Sequence, residues 1–96
     1  MKRLGEIHVR RDLENGLPWG WMMEVFPPGE PRPDMPVMVE KRTWKSTVMA
    51  MAREEQRLRW AGGNGWPSEL YEHNRKGEII DRSTFPRSAD PVRSLG

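Results

Sequence analysis

The chain contains no cysteine and no long apolar run. Without cysteine it can form neither a disulfide bond nor a thiolate zinc site. No segment approaches the roughly 18 consecutive apolar residues of a membrane-spanning helix, so we expect no membrane partner. The N-terminal sequence MKRLGEIHVRR lacks the apolar stretch of a secretion signal, and the expected location is therefore the cytoplasm.

Residues suited to catalysis or metal binding are also scarce. The two histidines, His8 and His73, are far apart in the sequence, and no HxxxH, HxH or HExxH spacing occurs. A metal site would require both rings to converge with a carboxylate such as Glu72 or Asp81, and the simpler interpretation is two ordinary strand histidines. The sequence also has no GxSxG or Walker glycine pattern. We therefore expect no enzymatic activity, no metal and no cofactor.

Size and charge favour a single small domain. Its 96 residues can form one core, with a stability on the order of 5–10 kcal/mol. We assign that domain to residues 1–85 and expect a flexible tail at 86–96, where polar residues and prolines show no periodicity. The net charge is only +2, and the excess falls in a helical segment. Proteins that bind duplex DNA usually carry a much larger basic surplus.

The segment Thr43–Trp60 is the only long one with a helical period and no glycine or proline. Thr43 or Ser46 can cap its N-terminus through a hydroxyl group, and Ala61–Gly65 supplies residues for a left-handed C-terminal end. The stripe predicted to face a core consists of Trp44, Thr47, Val48, Met51, Ala52, Glu55 and Leu58. A single amphipathic helix cannot bury such a stripe alone, so it requires a sheet or a partner chain.

Five short segments are predicted as strands because strand-forming residues cluster or alternate with polar ones in them. They are Gly5–Arg11, Trp19–Phe26, Val37–Arg42, Glu69–His73 and Glu78–Arg82. Asn15-Gly16 and Gly77 are the predicted turn residues, with Gly77 in a left-handed conformation. The segment Pro27–Pro36 holds five of the nine prolines and is predicted to be an extended, polyproline-like loop. This order predicts an α+β fold, a small antiparallel β-sheet with one amphipathic helix packed on one face.

Two motifs in the second half of the chain suggest a relationship. The helical sequence TVMAMARE at 47–54 is followed by the hairpin sequence YEHNRKGEIIDR at 71–82, and Gly20-Trp21 occurs in the second strand. Together they resemble the small bacterial domains grouped as DUF2188, a family of unknown function, over residues 6–85. The proline loop and the longer Gly62–Pro67 connection depart from that family. The resemblance implies a fold and brings no activity with it.

The alternation in the first three strands also predicts a binding surface. If the helix covers the face that carries Ile7 and Val9, each strand places an apolar or amphipathic side chain on the opposite face. In the third strand we expect Val37 and Val39 to point inward and Met38 outward. The residues of this predicted protein-binding patch are His8, Arg10, Met22, Phe26 and Met38. Because methionine adapts to contact surfaces, the leading hypothesis is an interaction module that binds a protein partner or a second copy of itself, and the alternative is scattered surface apolar residues.

Nucleic-acid binding is the second functional hypothesis. It rests on basic residues of the helix and the last turn, which can contact phosphates. They are Lys45, Arg53, Arg57, Arg59, Arg75 and Lys76. The fold supports this hypothesis only by analogy, and charged helix faces are usually just solvated. The small size and the lack of a reaction centre are typical of an accessory protein, such as phages and mobile elements encode.

Overall fold

The computed structural model describes residues 3–14, 17, 19–62 and 65–87. These residues form five strands and one helix, which confirms the predicted α+β fold with the helix on one face of a sheet. In chain order the elements are β1 (Gly5–Arg11), β2 (Trp21–Phe26), β3 (Met38–Arg42), α1 (Lys45–Ala61), β4 (Ser68–His73) and β5 (Ile79–Phe85). The predicted turn at Asn15-Gly16 lies outside the described residues, as does the predicted tail beyond Arg87.

The sheet has the strand order β3-β2-β1-β4-β5. Its neighbouring strands pair antiparallel except β1 and β4, which pair parallel, so the sheet is mixed and not wholly antiparallel as predicted. Parallel neighbours need a long crossover connection, and here β2, β3 and α1 supply it. The crossover places β1 at the centre of the sheet and brings its residues beside those of β4, which are distant in sequence.

The hydrophobic core lies between α1 and the sheet. Its buried residues are Ile7, Val9, Trp21, Met23, Val25, Val48, Met49, Ala52 and Leu70. On the helix the buried residues are Val48, Met49, Ala52 and Gln56. Trp44, Thr47 and Leu58, which were predicted to face the core, are exposed, and Met51 packs against the edge of the core. The helix is thus rotated relative to the prediction, so that Val48, Ala52 and Gln56 face the sheet.

The two ends of α1 differ from the predicted caps. The N-cap position is Trp44, and its side chain makes no capping hydrogen bond. At the other end the Gly62 N–H donates to the Leu58 carbonyl oxygen at 2.8 Å. Gly62 has a φ of −75°, which is not the predicted left-handed conformation. Gly77 does adopt the predicted left-handed conformation, with a φ of +87°.

The proline-rich loop is attached to the residues before β1. The Arg3 guanidinium donates to the carbonyl oxygens of Gly29 at 3.1 Å and Pro27 at 2.5 Å. In return the Gly29 N–H donates to the Arg3 carbonyl oxygen at 2.8 Å. The loop bends repeatedly instead of extending as a polyproline-like segment. This attachment holds Arg32 over the outer face of the sheet, which is the face opposite α1.

Candidate functional site

The outer face carries four of the five residues predicted as a protein-binding patch. The register pairs His8 with Glu24 and Arg10 with Met22, and it places Phe26 on the same face. Met22 and Phe26 are nevertheless only 3% and 6% exposed. These two apolar residues of the predicted patch are therefore shielded from solvent.

Charged side chains lie over the apolar ones on this face. The Arg32 guanidinium carbon is 4.1 Å from the centroid of the Phe26 ring. The Arg10 guanidinium, which stands opposite Met22, donates to both carboxylate oxygens of Glu24 at 2.5 and 3.1 Å. These hydrogen bonds hold the pKa of the Glu24 carboxyl below its usual value. Alternation in a sequence assigns a residue to a face, but it cannot show that long neighbouring side chains will cover it.

Met38, the fifth predicted patch residue, faces the helix. The register pairs Val25 with Met38 and Glu24 with Val39, so Met38 lies on the core face and Val39 lies on the outer face, where it is 43% exposed. The prediction for β3 was wrong by one position, and a shift of one residue exchanges the two faces of a strand. Both faces of the segment VMVEKR carry an apolar residue, so its alternation could not choose between them.

A chain of hydrogen bonds joins the two histidines on the outer face. His8 Nε2 lies 2.9 Å from Glu6 Oε1, and His8 Nδ1 lies 2.9 Å from His73 Nε2. His73 Nδ1 lies 3.1 Å from the Gly77 carbonyl oxygen. The Tyr71 ring stacks on His8 with a centroid separation of 4.8 Å. The parallel pairing of β1 with β4 brings the histidines together, and the sequence pattern contained no signal of that pairing.

Burial and hydrogen bonding shift the pKa values in this cluster. Burial lowers the pKa of His8, and its hydrogen bond to Glu6 opposes that shift. Burial acts to raise the pKa of Glu6, but hydrogen bonds from His8 and Arg32 outweigh it, so the pKa lies below its usual value. Burial beside Glu69 raises the pKa of Tyr71 to about 12, so its hydroxyl remains protonated and donates to Glu69 at 3.1 Å. The cluster is a hydrogen-bonded polar network around a shielded histidine.

A groove lies on the other face of the sheet, between α1 and the edge strand β3. Its volume is about 380 Å³, and it is lined by Met23, Met38, Ala50, Met51, Glu54 and Glu55. We call it the methionine groove. Near the C-terminal end of α1, the Arg59 guanidinium lies 3.7 Å from Met38 Sδ and over the ring of Trp66. Sequence reasoning missed this groove because Met38 was assigned to the opposite face, although the seven methionines were a signal for an adaptable surface.

Three of the basic residues predicted to contact nucleic acid form ion pairs within the chain. The pairs are Lys45–Glu72 at 2.7 Å, Arg57–Glu54 at 2.6 Å and Arg59–Glu55 at 2.5 Å. Arg53 is exposed and borders a shallow hollow between α1 and β5. The positive charge of the helix is therefore mostly balanced by adjacent carboxylates.

The predicted nucleic-acid residues also lie in separate places. Lys45 begins α1 beside β4, whereas Arg59 lies at the opposite end of the helix beside β3. Arg75 and Lys76 are in the β4–β5 turn, where they line a hollow of about 100 Å³ together with Arg10 and Arg11. The six residues thus do not form one continuous basic surface.

Among the described residues, no group of three or more His, Asp or Glu side chains is arranged to hold a metal ion. No helix in that same part of the chain is long and apolar enough to cross a membrane. Comparison with known proteins finds no matching family model, no matching curated protein and no matching solved structure. The resemblance to DUF2188 therefore stays a prediction.

Proposed function

We propose that the protein is a non-enzymatic interaction module that binds an extended segment of a partner protein in the methionine groove. The observation that supports this proposal is the position of the groove, which lies directly beside the edge strand β3. A segment that pairs with β3 as a further strand would lie along the groove. The backbone of β3 would then supply hydrogen bonds, and the groove would receive side chains.

The dimensions of β3 define which segment fits. β3 has five residues, so it can pair with about five partner residues, which span roughly 17 Å. Alternate side chains of a strand point to the same face, so every second partner residue would enter the groove. The proposed ligand therefore has apolar residues at alternate positions over a short segment.

The lining of the groove favours apolar side chains of varied shape. Met38 and Met51 are partly buried against the core, so they are anchored and still accessible. Methionine is unbranched and polarizable, which lets it pack against differently shaped partners. At the rim, the Glu54 carboxylate already pairs with Arg57 at 2.6 Å, so the selectivity of the groove rests on its apolar lining.

Peptide display tests this proposal with random sequences, so the natural partner need not be identified first. Random linear peptides are selected on the wild-type protein, and the enriched peptides are titrated by fluorescence anisotropy. We expect enriched peptides to carry apolar residues at alternate positions. Met38→Lys, which places a charge in the groove, should weaken their binding by more than about tenfold, equivalent to about 1.4 kcal/mol.

Val39→Lys is the matched control, because Val39 is adjacent to Met38 on β3 but lies on the outer face. It should leave peptide affinity unchanged. An equal loss in both variants, or no enriched peptide at all, would contradict the proposed site. Self-association of the wild type in sedimentation, abolished by Met38→Lys, would make a second copy of the chain the occupant.

Nucleic acid is the second candidate ligand, and the hollow at the β4–β5 turn favours it. Four cationic residues line this hollow, Arg10, Arg11, Arg75 and Lys76. Binding there should weaken steeply with salt, and Arg75→Glu combined with Lys76→Glu should weaken it about equally for all sequences. The double substitution Arg53→Glu and Arg57→Glu makes the same charge change on α1, outside this hollow, and serves as the comparison variant. Absence of a gel shift at low salt with micromolar protein would remove this candidate.

A further inference from the structure

The hydrogen-bond chain on the outer face has an acceptor at each end. The ionised Glu6 carboxylate and the Gly77 carbonyl oxygen can only accept hydrogen bonds. Each end bond therefore needs an N–H from a histidine, which means that His8 Nε2 donates to Glu6 and His73 Nδ1 donates to Gly77. The middle bond, between His8 Nδ1 and His73 Nε2 at 2.9 Å, needs a third N–H.

The number of protons decides whether all three bonds can form. Two neutral imidazoles carry only two N–H groups, one fewer than the chain requires. With one extra proton, one ring becomes an imidazolium and every bond has its donor. With two extra protons, N–H would face N–H across 2.9 Å between like charges. The geometry therefore fits one extra proton on the pair.

The surroundings assign that proton to His73. Burial lowers the pKa of His8, although Glu6 opposes the shift. His73 lies beside the exposed turn and donates there to a carbonyl oxygen. Four arginines pair with the three carboxylates around the histidines: Arg3 and Arg32 with Glu6, Arg10 with Glu24 and Arg82 with Glu69. A proton on the pair therefore joins a face that already carries one more cation than carboxylates, and the three hydrogen bonds must stabilise it. With that proton on His73, His8 stays neutral with its hydrogen on Nε2.

We propose that His8 and His73 form a single-proton site that clamps the β4–β5 turn. With the proton bound, His73 links β1 to the turn through both of its ring nitrogens. When the proton leaves, one of the three bonds must break. The bond to Gly77 is exposed, whereas the other two are partly buried, so water replaces the bond to Gly77 most readily. A rise in pH therefore releases the turn that carries Arg75 and Lys76.

Nitrogen-15 NMR of the wild-type protein tests this site directly. Long-range proton–nitrogen spectra report which ring nitrogens are protonated, and a scalar coupling across N–H···N reports the bond between His8 and His73. We expect this coupling at mildly acidic pH, with both His73 nitrogens protonated and His8 protonated at Nε2 only. Raising the pH should move the signals of both rings in one step. Two unrelated titrations, or no coupling at any pH at which the protein is folded, would overturn the proposal.

Amide exchange measures the release of the turn. The Gly77 N–H donates to the Asn74 carbonyl oxygen at 3.0 Å and the Glu78 N–H donates to Asn74 Oδ1 at 3.0 Å, so both amides report on the turn. Their protection, corrected for the intrinsic exchange rate, should fall several-fold as the pair loses its proton. Unchanged protection across that step would exclude a clamp.

Two variants separate the clamp from general charge effects on this face. His8→Gln removes one ring, so the protection of the turn should lose its pH dependence. Glu69→Gln changes a nearby charge and leaves the hydrogen-bond chain intact, so the pH dependence should persist. The same response in both variants would overturn the proposal. If His8→Gln does not fold, His73→Gln provides the same comparison at the less enclosed ring.

Discussion

One buried amide side chain joins α1 to the second half of the sheet. Gln56 is 5% exposed, and its Nε2 donates to the carbonyl oxygens of Ser68 at 3.3 Å and Ser83 at 3.2 Å. A helical period gives no reason to bury a glutamine, so the predicted stripe passed over this residue. Its burial depends on two carbonyl groups of β4 and β5 that only the folded sheet brings together.

Gln56→Met keeps the length of the side chain and removes both donors. We expect the free energy of unfolding to fall by about 1–3 kcal/mol in urea denaturation, because two buried hydrogen bonds are lost. Arg57→Met, at the adjacent exposed position, should change it by no more than about 0.5 kcal/mol. Equal effects of the two substitutions would mean that the amide does not anchor the helix.

At the scale of elements, the sequence predicted which segments are strands and helix better than it predicted their faces and partners. β1 has the predicted bounds because its apolar residues all lie on one side. β3 has apolar residues on both sides, and its register against β2 decides that Met38 points inward. The pairing of β1 with β4 is non-local, so no periodicity encodes it. The hydrogen-bond chain through His8 and His73 depends on the β1–β4 pairing, and the methionine groove depends on the register of β3. Neither site could therefore be derived from the sequence.

The rotation of α1 can be tested by placing aspartate at three positions. Ala52→Asp buries an unpaired charge at a fully enclosed site and should lower the free energy of unfolding by about 3 kcal/mol or more. Met51→Asp, at the edge of the groove, should cost about 1–2 kcal/mol, and Leu58→Asp should stay within about 0.5 kcal/mol. Thermal unfolding of the three variants measures this order. A cost at Leu58 as large as that at Ala52 would support the helix face predicted from the sequence, which included both residues.

At the scale of the whole molecule, the two faces of the sheet are covered by different means. The helix covers one face with apolar side chains, whereas ion pairs and the proline loop cover the other. A face that depends on ionised carboxylates is sensitive to acid, because protonation removes the acceptors of its hydrogen bonds. A face covered by apolar side chains is not sensitive to acid in this way. The acid sensitivity of the fold should therefore arise mainly on the outer face.

Glu24 provides the sharpest test of this acid sensitivity. The hydrogen bonds from Arg10 hold its pKa below the ordinary value of 4.5. The unfolded chain therefore binds a proton at higher pH than the folded chain does, and stability falls as the pH drops below about 5. Glu24→Gln should lower the free energy of unfolding by about 1 kcal/mol at pH 6, because a charge-assisted pair is lost. The difference should shrink as the pH falls through the folded pKa, since wild-type Glu24 is then protonated as well. Urea unfolding across this range measures it, with Glu30→Gln as an exposed control, and a difference that persists in acid would assign the acid sensitivity to other groups.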